Sequence, residues 1–198
     1  MLVRHGQVPG PAGAFPAAGA RLAAEGRAAV SALAAALAAA DVRPAALWTS
    51  DLPRAVETAE ILGAALGARP RLEPRLREAN PGAWSGRTSA DLAAERPAEV
   101  EAWLANLAGY APPGGESLAE AAARVREAVA ALLEAPVGEG PRLVVTHSWA
   151  VRVLLADALG LPLPRALAIR IEPASLTLLD RYDDGVWAVG PVGWRPCL

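Results

Sequence analysis

Arg142-Leu143-Val144-Val145-Thr146-His147-Ser148-Trp149 is the stretch on which the fold class turns. After the arginine come three apolar residues and a threonine, three of the four β-branched, which is the composition of a short strand buried on both faces. The pattern changes at His147, and 148–159 reads as a helix. Strand, histidine and helix form one unit, and a strand that runs straight into a helix is the building block of a parallel sheet.

Working outward, the same unit recurs. Leu2-Val3 leads into Arg4-His5-Gly6, a short buried strand that ends in a polar turn. It begins at residue 1, which leaves little room for pairing, so either the native start lies upstream or this strand is short. Gly10, Pro11, Gly13, Pro16 and Gly19 mark a loop. A helix is expected over 21–40, with Leu22, Val30, Leu33 and Leu37 on its buried stripe. Pro44 ends it, and 45–49 reads as a second buried strand. Ser50 or Asp51 would then cap a helix carrying Pro53 and Arg54 in its first turn. The stretch 70–81 is a poorly periodic connection, followed by one or two short helices between residues 89 and 107. Pro112-Pro113-Gly114-Gly115 is a break, and Ser117 with Glu120 has the spacing of a capping box that starts a helix to about residue 134. The tail, 168–192, alternates around a turn at Asp183-Asp184-Gly185 and is expected to supply strands that close one side of the sheet. There is no internal repeat. Strands alternating with helices predict an α/β fold, a mainly parallel sheet covered on both faces, with functional groups gathered at the carboxyl ends of the strands.

Composition bounds what such a domain can do. Of 198 residues, 53% are hydrophobic and 20% charged, enough apolar surface for a sizeable core and too little charge for disorder. We read one domain over 1–198, with 84–113 as a small helical cover. A formal net charge of −2 offers no general field for nucleic acid or an anionic membrane, so neither is expected as a partner. All 19 long cations are arginines, which carries no functional weight because it holds along the whole chain. The one cysteine, Cys197, allows no intramolecular disulfide. No signal-like start and no uninterrupted apolar span are present, and a cytoplasmic location is the default.

The chemistry-bearing residues cluster at strand ends: Arg4 and His5 after the first, Arg54 at the start of the helix after the second, His147 after the strand at 142–146. Two guanidiniums, an imidazole and helix N-termini suit a dianionic phosphate, since arginine offers forked donors and a helix start adds positive partial charge. Taken singly, each has a plainer reading. Either histidine could be a packing residue, Arg54 a surface arginine paired with Glu57, and Glu78 a solvated loop carboxylate.

Together these segments resemble the histidine phosphatase superfamily, the phosphoglycerate mutase-like family. Leu2-Val3-Arg4-His5-Gly6 matches its defining motif. Thr49-Ser50-Asp51-Leu52-Pro53-Arg54-Ala55-Val56-Glu57-Thr58-Ala59 is similar to the segment bearing its second phosphate-binding arginine. Leu76-Arg77-Glu78-Ala79-Asn80-Pro81-Gly82-Ala83-Trp84-Ser85-Gly86 resembles its acid-bearing loop. Pro113-Gly114-Gly115-Glu116-Ser117 resembles the opening of its long helix, and Val144-Val145-Thr146-His147 its second-histidine strand. Five segments agree in order, whereas the first alone would be weak.

The resemblance implies a three-layer α/β/α fold and a metal-independent phosphomonoesterase that works through a phosphohistidine, with no cofactor and a small phosphorylated metabolite as substrate. By the same resemblance His5 is the nucleophile, and Arg4, Arg54 and His147 hold the phosphoryl group with Gln7. Glu78 is the proton donor and acceptor, a role that asks for a carboxyl raised by partial burial. Two departures bear on substrate choice. Val8 and Pro11 stand where relatives carry polar residues, and Ser148-Trp149 replaces a frequent pair of glycines, which makes Trp149, Ser148 and Trp84 candidate pocket residues. Trp84 and Trp149 have a plainer reading as packing residues of a glycine turn and a helix start. Mutase-type phosphotransfer and a non-catalytic phosphate-binding relative are the alternatives, and a tail strand pairing across a homodimer is a further possibility.

Overall fold

The structure, a computed structural model, describes residues 1–196; the disulfide reading of Cys197 lies outside them. The elements run β1 (Leu2–Arg4), α1 (Ala24–Ala39), β2 (Ala46–Thr49), α2 (Pro53–Leu66), β3 (Pro70–Leu72), α3 (Ser89–Glu95), α4 (Pro97–Ala105), α5 (Leu118–Glu134), β4 (Arg142–Thr146), α6 (Ser148–Ala158), β5 (Leu176–Thr177), β6 (Leu179–Arg181) and β7 (Trp187–Val189). The main sheet has the order β3-β2-β4-β1-β5. Its first four strands are parallel and β5 is antiparallel to β1.

Because successive strand residues point to opposite faces, each buried strand feeds two cores. Val3, Leu47, Leu143 and Val145 pack under α1 and α2 with Val30, Leu33, Leu37, Ala55, Ala59 and Leu62. Leu2, Ala46, Trp48 and Val144 face the other way, onto α5 and α6 through Val125, Ala128, Leu132, Ala150, Val151 and Leu154. That is the three-layer α/β/α arrangement expected. Burial of each large side chain contributes about 1.5–3 kcal/mol. Among the described residues no helix is long and apolar enough to cross a membrane.

Several boundaries differ from the sequence expectation for local reasons. α1 starts at Ala24 rather than residue 21, because Arg21 reaches out to the Glu57 carboxylate and the Leu22 amide donates to the same group. α2 has no side-chain cap: its N-cap is Leu52, followed by Pro53 at the first position. Asp51 is held instead by Arg77, and the Ser50 hydroxyl lies against His147. The connection 70–81 contains β3, an exposed edge strand whose proline occupies its first position, where no ladder donor is needed. The tail closes the sheet with only Leu176 and Thr177, while β6 and β7 pair as a separate hairpin around the Asp183–Gly185 turn. The capping box at Ser117 and Glu120 is present on both sides, as read.

One contact fixes the turn after β1. A Cβ on Gly26 of α1 would sit 2.2 Å from the Gln7 carbonyl oxygen, and one on Gly6 would sit 2.7 Å from the Gly26 carbonyl oxygen. Helix and turn therefore touch backbone to backbone. Gly26→Ala is expected to lower stability by about 2–3 kcal/mol through overpacking, outweighing the roughly 1 kcal/mol gained in helix propensity. A melting temperature within about 1 °C of the parent would refute this close approach.

Candidate functional site

Strand register builds the site. Leu2, Val3 and Arg4 of β1 lie beside Val144, Val145 and Thr146 of β4, so the next residues, His5 and His147, leave the sheet side by side. The His5 amide still donates to the Thr146 carbonyl at 3.0 Å, and the two rings meet edge to face with centroids 5.0 Å apart. The Thr58 hydroxyl accepts the Gly6 amide at 3.2 Å and donates to the Arg54 carbonyl at 2.7 Å, tying the turn to α2.

The His5 tautomer follows from its neighbours. Nδ1 lies 2.7 Å from the Gly6 carbonyl oxygen, which can only accept, so Nδ1 carries the proton. Nε2 lies 3.2 Å from Nε of Arg54, which can only donate, so Nε2 presents its lone pair. Burial, then the charges of Arg54 and Arg4, pushes the His5 pKa down to about 3, against the Gly6 hydrogen bond. An unfolded imidazole titrates near 6.5, so at acid pH the unfolded chain binds a proton that the folded chain refuses. The stability tied to neutral His5 is therefore present above pH 6.5 and lost as pH falls below it, at about 1.4 kcal/mol per unit, or about 2 kcal/mol by pH 5. The 15N shifts of the His5 ring should hold the neutral Nδ1–H form from pH 8 to 5; a midpoint near 6.5 would contradict this geometry.

His147 is fully buried, and burial, followed by competition with the neighbouring His5 imidazole for a proton and by the charges of Arg54 and Arg4, holds its pKa well below the ordinary value. Its Nε2 lies 2.8 Å from the Ser50 hydroxyl, and its buried Nδ1 has no partner. Arg54 is 2% exposed and does not pair with Glu57, which Arg21 and Arg27 hold at 2.7 Å each. Arg54 Nη1 donates to the Ala17 carbonyl at 3.1 Å. Arg4 donates to the Ile171 carbonyl and leaves its buried Nε unpartnered. Burial lowers both guanidiniums' pKa values, offset in part by Glu78. Buried cations outnumbering the nearby carboxylates, with a free donor, make a place for an anion.

Arg4 and Arg54 open onto a cavity of about 550 Å³ that Glu78, Trp84, Ser148 and Trp149 also line. Glu78 is half-buried, and its carboxylate accepts the Trp149 amide at 3.1 Å, at the N-terminus of α6. Trp84 is buried, donates from its indole to Glu99 at 2.8 Å, and forms an aromatic wall with Phe15, Trp103 and Tyr110 at centroid distances of 5.6–5.8 Å. Trp149 is buried, with its indole N–H on the Leu118 carbonyl at 3.1 Å, so the packing reading holds for both even as they line the cavity.

Gln7 is not brought in. Its side chain is exposed and donates to the Val8 carbonyl, because the main chain has turned away with the Gln7 carbonyl fixed to the Ala23 amide. Pro11 is exposed, and neither it nor Val8 lines the cavity. Two residues escaped the sequence reading. Ser50, expected as a cap of α2, lies with its hydroxyl against His147. Arg152, which lines the cavity one helical turn after Ser148, passed unnoticed. Its one sequence signal is weak: an arginine between two valines, in a helix that also carries Asp157.

Comparison with known proteins agrees with this geometry. A family model described as histidine phosphatase superfamily (branch 1) matches residues 1–192. A probable phosphoglycerate mutase of Yersinia enterocolitica is 36% identical over 146 residues, 74% of this chain and 66% of that protein, so the chain spans about two thirds of the length of this curated relative. A mycobacterial glucosyl-3-phosphoglycerate phosphatase, solved with VO3, is 32% identical with a TM-score of 0.82, covering 99% of this chain and 98% of that one. A putative α-ribazole-5′-P phosphatase from Escherichia coli superposes with a TM-score of 0.87 over 98% of this chain and 95% of that one; at 24% identity it speaks for the fold alone. A match over nearly the full length, with paired strand-end histidines beside the buried Arg54 and the half-buried Arg4, places the chain in the histidine phosphatase superfamily, branch 1.

Proposed function

We propose that this chain hydrolyses phosphate monoesters of small metabolites through a phosphohistidine on His5, with no metal ion in the reaction. The observation that carries the reading is the Nε2 lone pair of His5, set beside the buried guanidinium of Arg54 and the second imidazole. In the first step that lone pair bonds to phosphorus in line with the ester oxygen, and the P–O bond breaks. Arg4, Arg54 and His147 offset charge on the three equatorial oxygens, so catalysis is mostly positioning and electrostatics. Arg54 Nε–H must release Nε2 for this, and a phosphate oxygen is the stronger acceptor for it. Glu78 gives its proton to the departing alkoxide. In the second step water bonds to phosphorus as Glu78 takes its proton, the P–N pair returns to Nε2, and phosphate leaves. Within a single domain over 1–198, the segment 84–113 acts as a short helical cover over the cavity.

The name of the Yersinia relative favours one other reading, phosphoryl transfer between positions of phosphoglycerate. A mutase must shield its phosphohistidine from water. α3 and α4, of 7 and 9 residues, are a modest cover, which supports hydrolysis. In chelator-treated protein, release of inorganic phosphate from an aryl phosphate without isomerisation of 3-phosphoglycerate supports the phosphatase; the reverse result supports the mutase. Glu78→Gln should slow turnover of alkyl esters by about a hundredfold, within the usual range for a general acid and base. Unchanged phosphorylation and dephosphorylation of His5 would remove Glu78 from the scheme.

A further inference from the structure

Glu116, in the break before α5, and Arg124, in the second turn of that helix, have no role in the scheme above, yet together they hold the loop that carries Glu78. Residues 75–78 form no strand ladder, so their carbonyls need donors from elsewhere. Four in a row are met by side chains. The Leu76 carbonyl accepts the Thr146 hydroxyl at 2.7 Å, from the residue just before His147. Arg124 takes the other three: Nη1 donates to the Arg75 and Arg77 carbonyls at 2.8 and 3.0 Å, and Nη2 to the Glu78 carbonyl at 3.3 Å. Its remaining Nη2 and Nε protons go to the Glu116 carboxylate at 2.6 and 3.0 Å. All five donors of the guanidinium are then engaged. Glu116 grips the loop on the far side of Glu78, where its carboxylate accepts the Asn80 amide at 3.3 Å and its own amide donates to the Asn80 carbonyl at 2.9 Å.

We propose that Arg124, locked to Glu116, is a positioning residue that keeps the Glu78 carboxyl within reach of the ester's leaving oxygen. It does so from outside: Glu78 lines the cavity and Arg124 does not. The Glu78 carboxylate is itself held only by the Ala79 and Trp149 amides, so where its main chain stands decides where the carboxyl can reach. A general acid works only at hydrogen-bond distance from the atom it protonates, and a displacement of about 1 Å can cost about a hundredfold in rate. Lysine is no substitute, because an ammonium has three donors and no rigid fork to span three carbonyls and a carboxylate. The proposal rests on the role given to Glu78 in the phosphatase reading.

Two esters of similar size separate positioning of the acid from a general loss of structure. 4-Nitrobenzyl phosphate leaves as a strongly basic alkoxide that needs a proton, whereas 4-nitrophenyl phosphate leaves as a phenolate that does not. Their kcat/KM values, which cover the steps up to phosphorylation of His5, are measured on the full chain, on Glu78→Gln, on Arg124→Gln and on the double variant. Arg124→Gln should lower kcat/KM for the benzyl ester about tenfold or more and leave that for the nitrophenyl ester within about threefold. In the Glu78→Gln background it should add little, because the group it positions is already gone. Arg124→Lys, which keeps a charge beside Glu116 but not the fork, should show the same selective loss in smaller measure, and it decides the matter where Arg124→Gln does not fold. Equal loss on both esters, no loss on the benzyl ester, or a loss that adds in full to that of Glu78→Gln overturns the proposal. A parent that hydrolyses neither ester, or a Glu78→Gln chain that slows both alike, overturns the reading of Glu78 and takes the proposal with it. Selective loss in Glu78→Gln without it in the Arg124 variants overturns the proposal alone.

Discussion

His5→Ala is expected to abolish phosphate release, a loss of about ten-thousandfold or more, because no other side chain presents an unprotonated nucleophile at the same point. The fold should survive. The imidazole contributes one hydrogen bond to the Gly6 carbonyl and receives one from Arg54, and loss of such bonds costs about 1–3 kcal/mol. At pH 5 even that cost shrinks, because the variant no longer carries an imidazole that the folded state keeps neutral and the unfolded state protonates. Parent and variant should therefore draw together in chemical denaturation as pH falls from 7.5 to 5. A variant that loses activity only by unfolding, with a gap that widens toward acid pH, would show His5 to be structural.

Arg54→Ala should cost about a hundred- to a thousandfold in turnover, the range seen when a preorganised donor to a developing charge is removed. The side chain is buried, so its guanidinium is desolvated and stronger than a surface one, and Nε is the donor nearest the nucleophile at 3.2 Å. Arg54→Lys should recover only part of the loss, since an ammonium cannot hold both His5 and the Ala17 carbonyl with the forked geometry of the parent. A fall below about tenfold would mean that Arg54 merely ties the loop at Ala17 to α2. The free alternative, pairing with Glu57, is already closed by Arg21 and Arg27.

The parallel core was legible because its strands are short apolar runs that tolerate no polar face, as in Leu143-Val144-Val145. β3 was not, because an edge strand needs no such run: Pro70, Arg71 and Leu72 pair on one side only and stay exposed or half-buried. The tail misled for a related reason. Its alternation is real, but β6 and β7 satisfy each other as a hairpin and leave β5 alone to meet β1. In the site, His5, His147 and Arg54 could be brought together in advance because each follows a strand end, whereas Glu78, on an irregular connection, was legible only through the family resemblance. Gln7 adjoins the same motif yet points outward, since direction after Gly6 is set by the contact with Gly26, which no residue pattern in the turn itself encodes. Arg152 was missed for the opposite reason: its environment is tertiary, and a helix pattern reads a single arginine as a solvated position.

The central claim, a covalent intermediate on the lone pair of His5, is tested most directly by rapid alkaline quench of the chain during turnover of a radiolabelled monoester, followed by mapping of the label. Acid-labile phosphate on His5, absent from His5→Ala and discharged at a rate no slower than turnover, is the predicted result. Steady phosphate release with no labelled histidine, or with the label on His147, would contradict it.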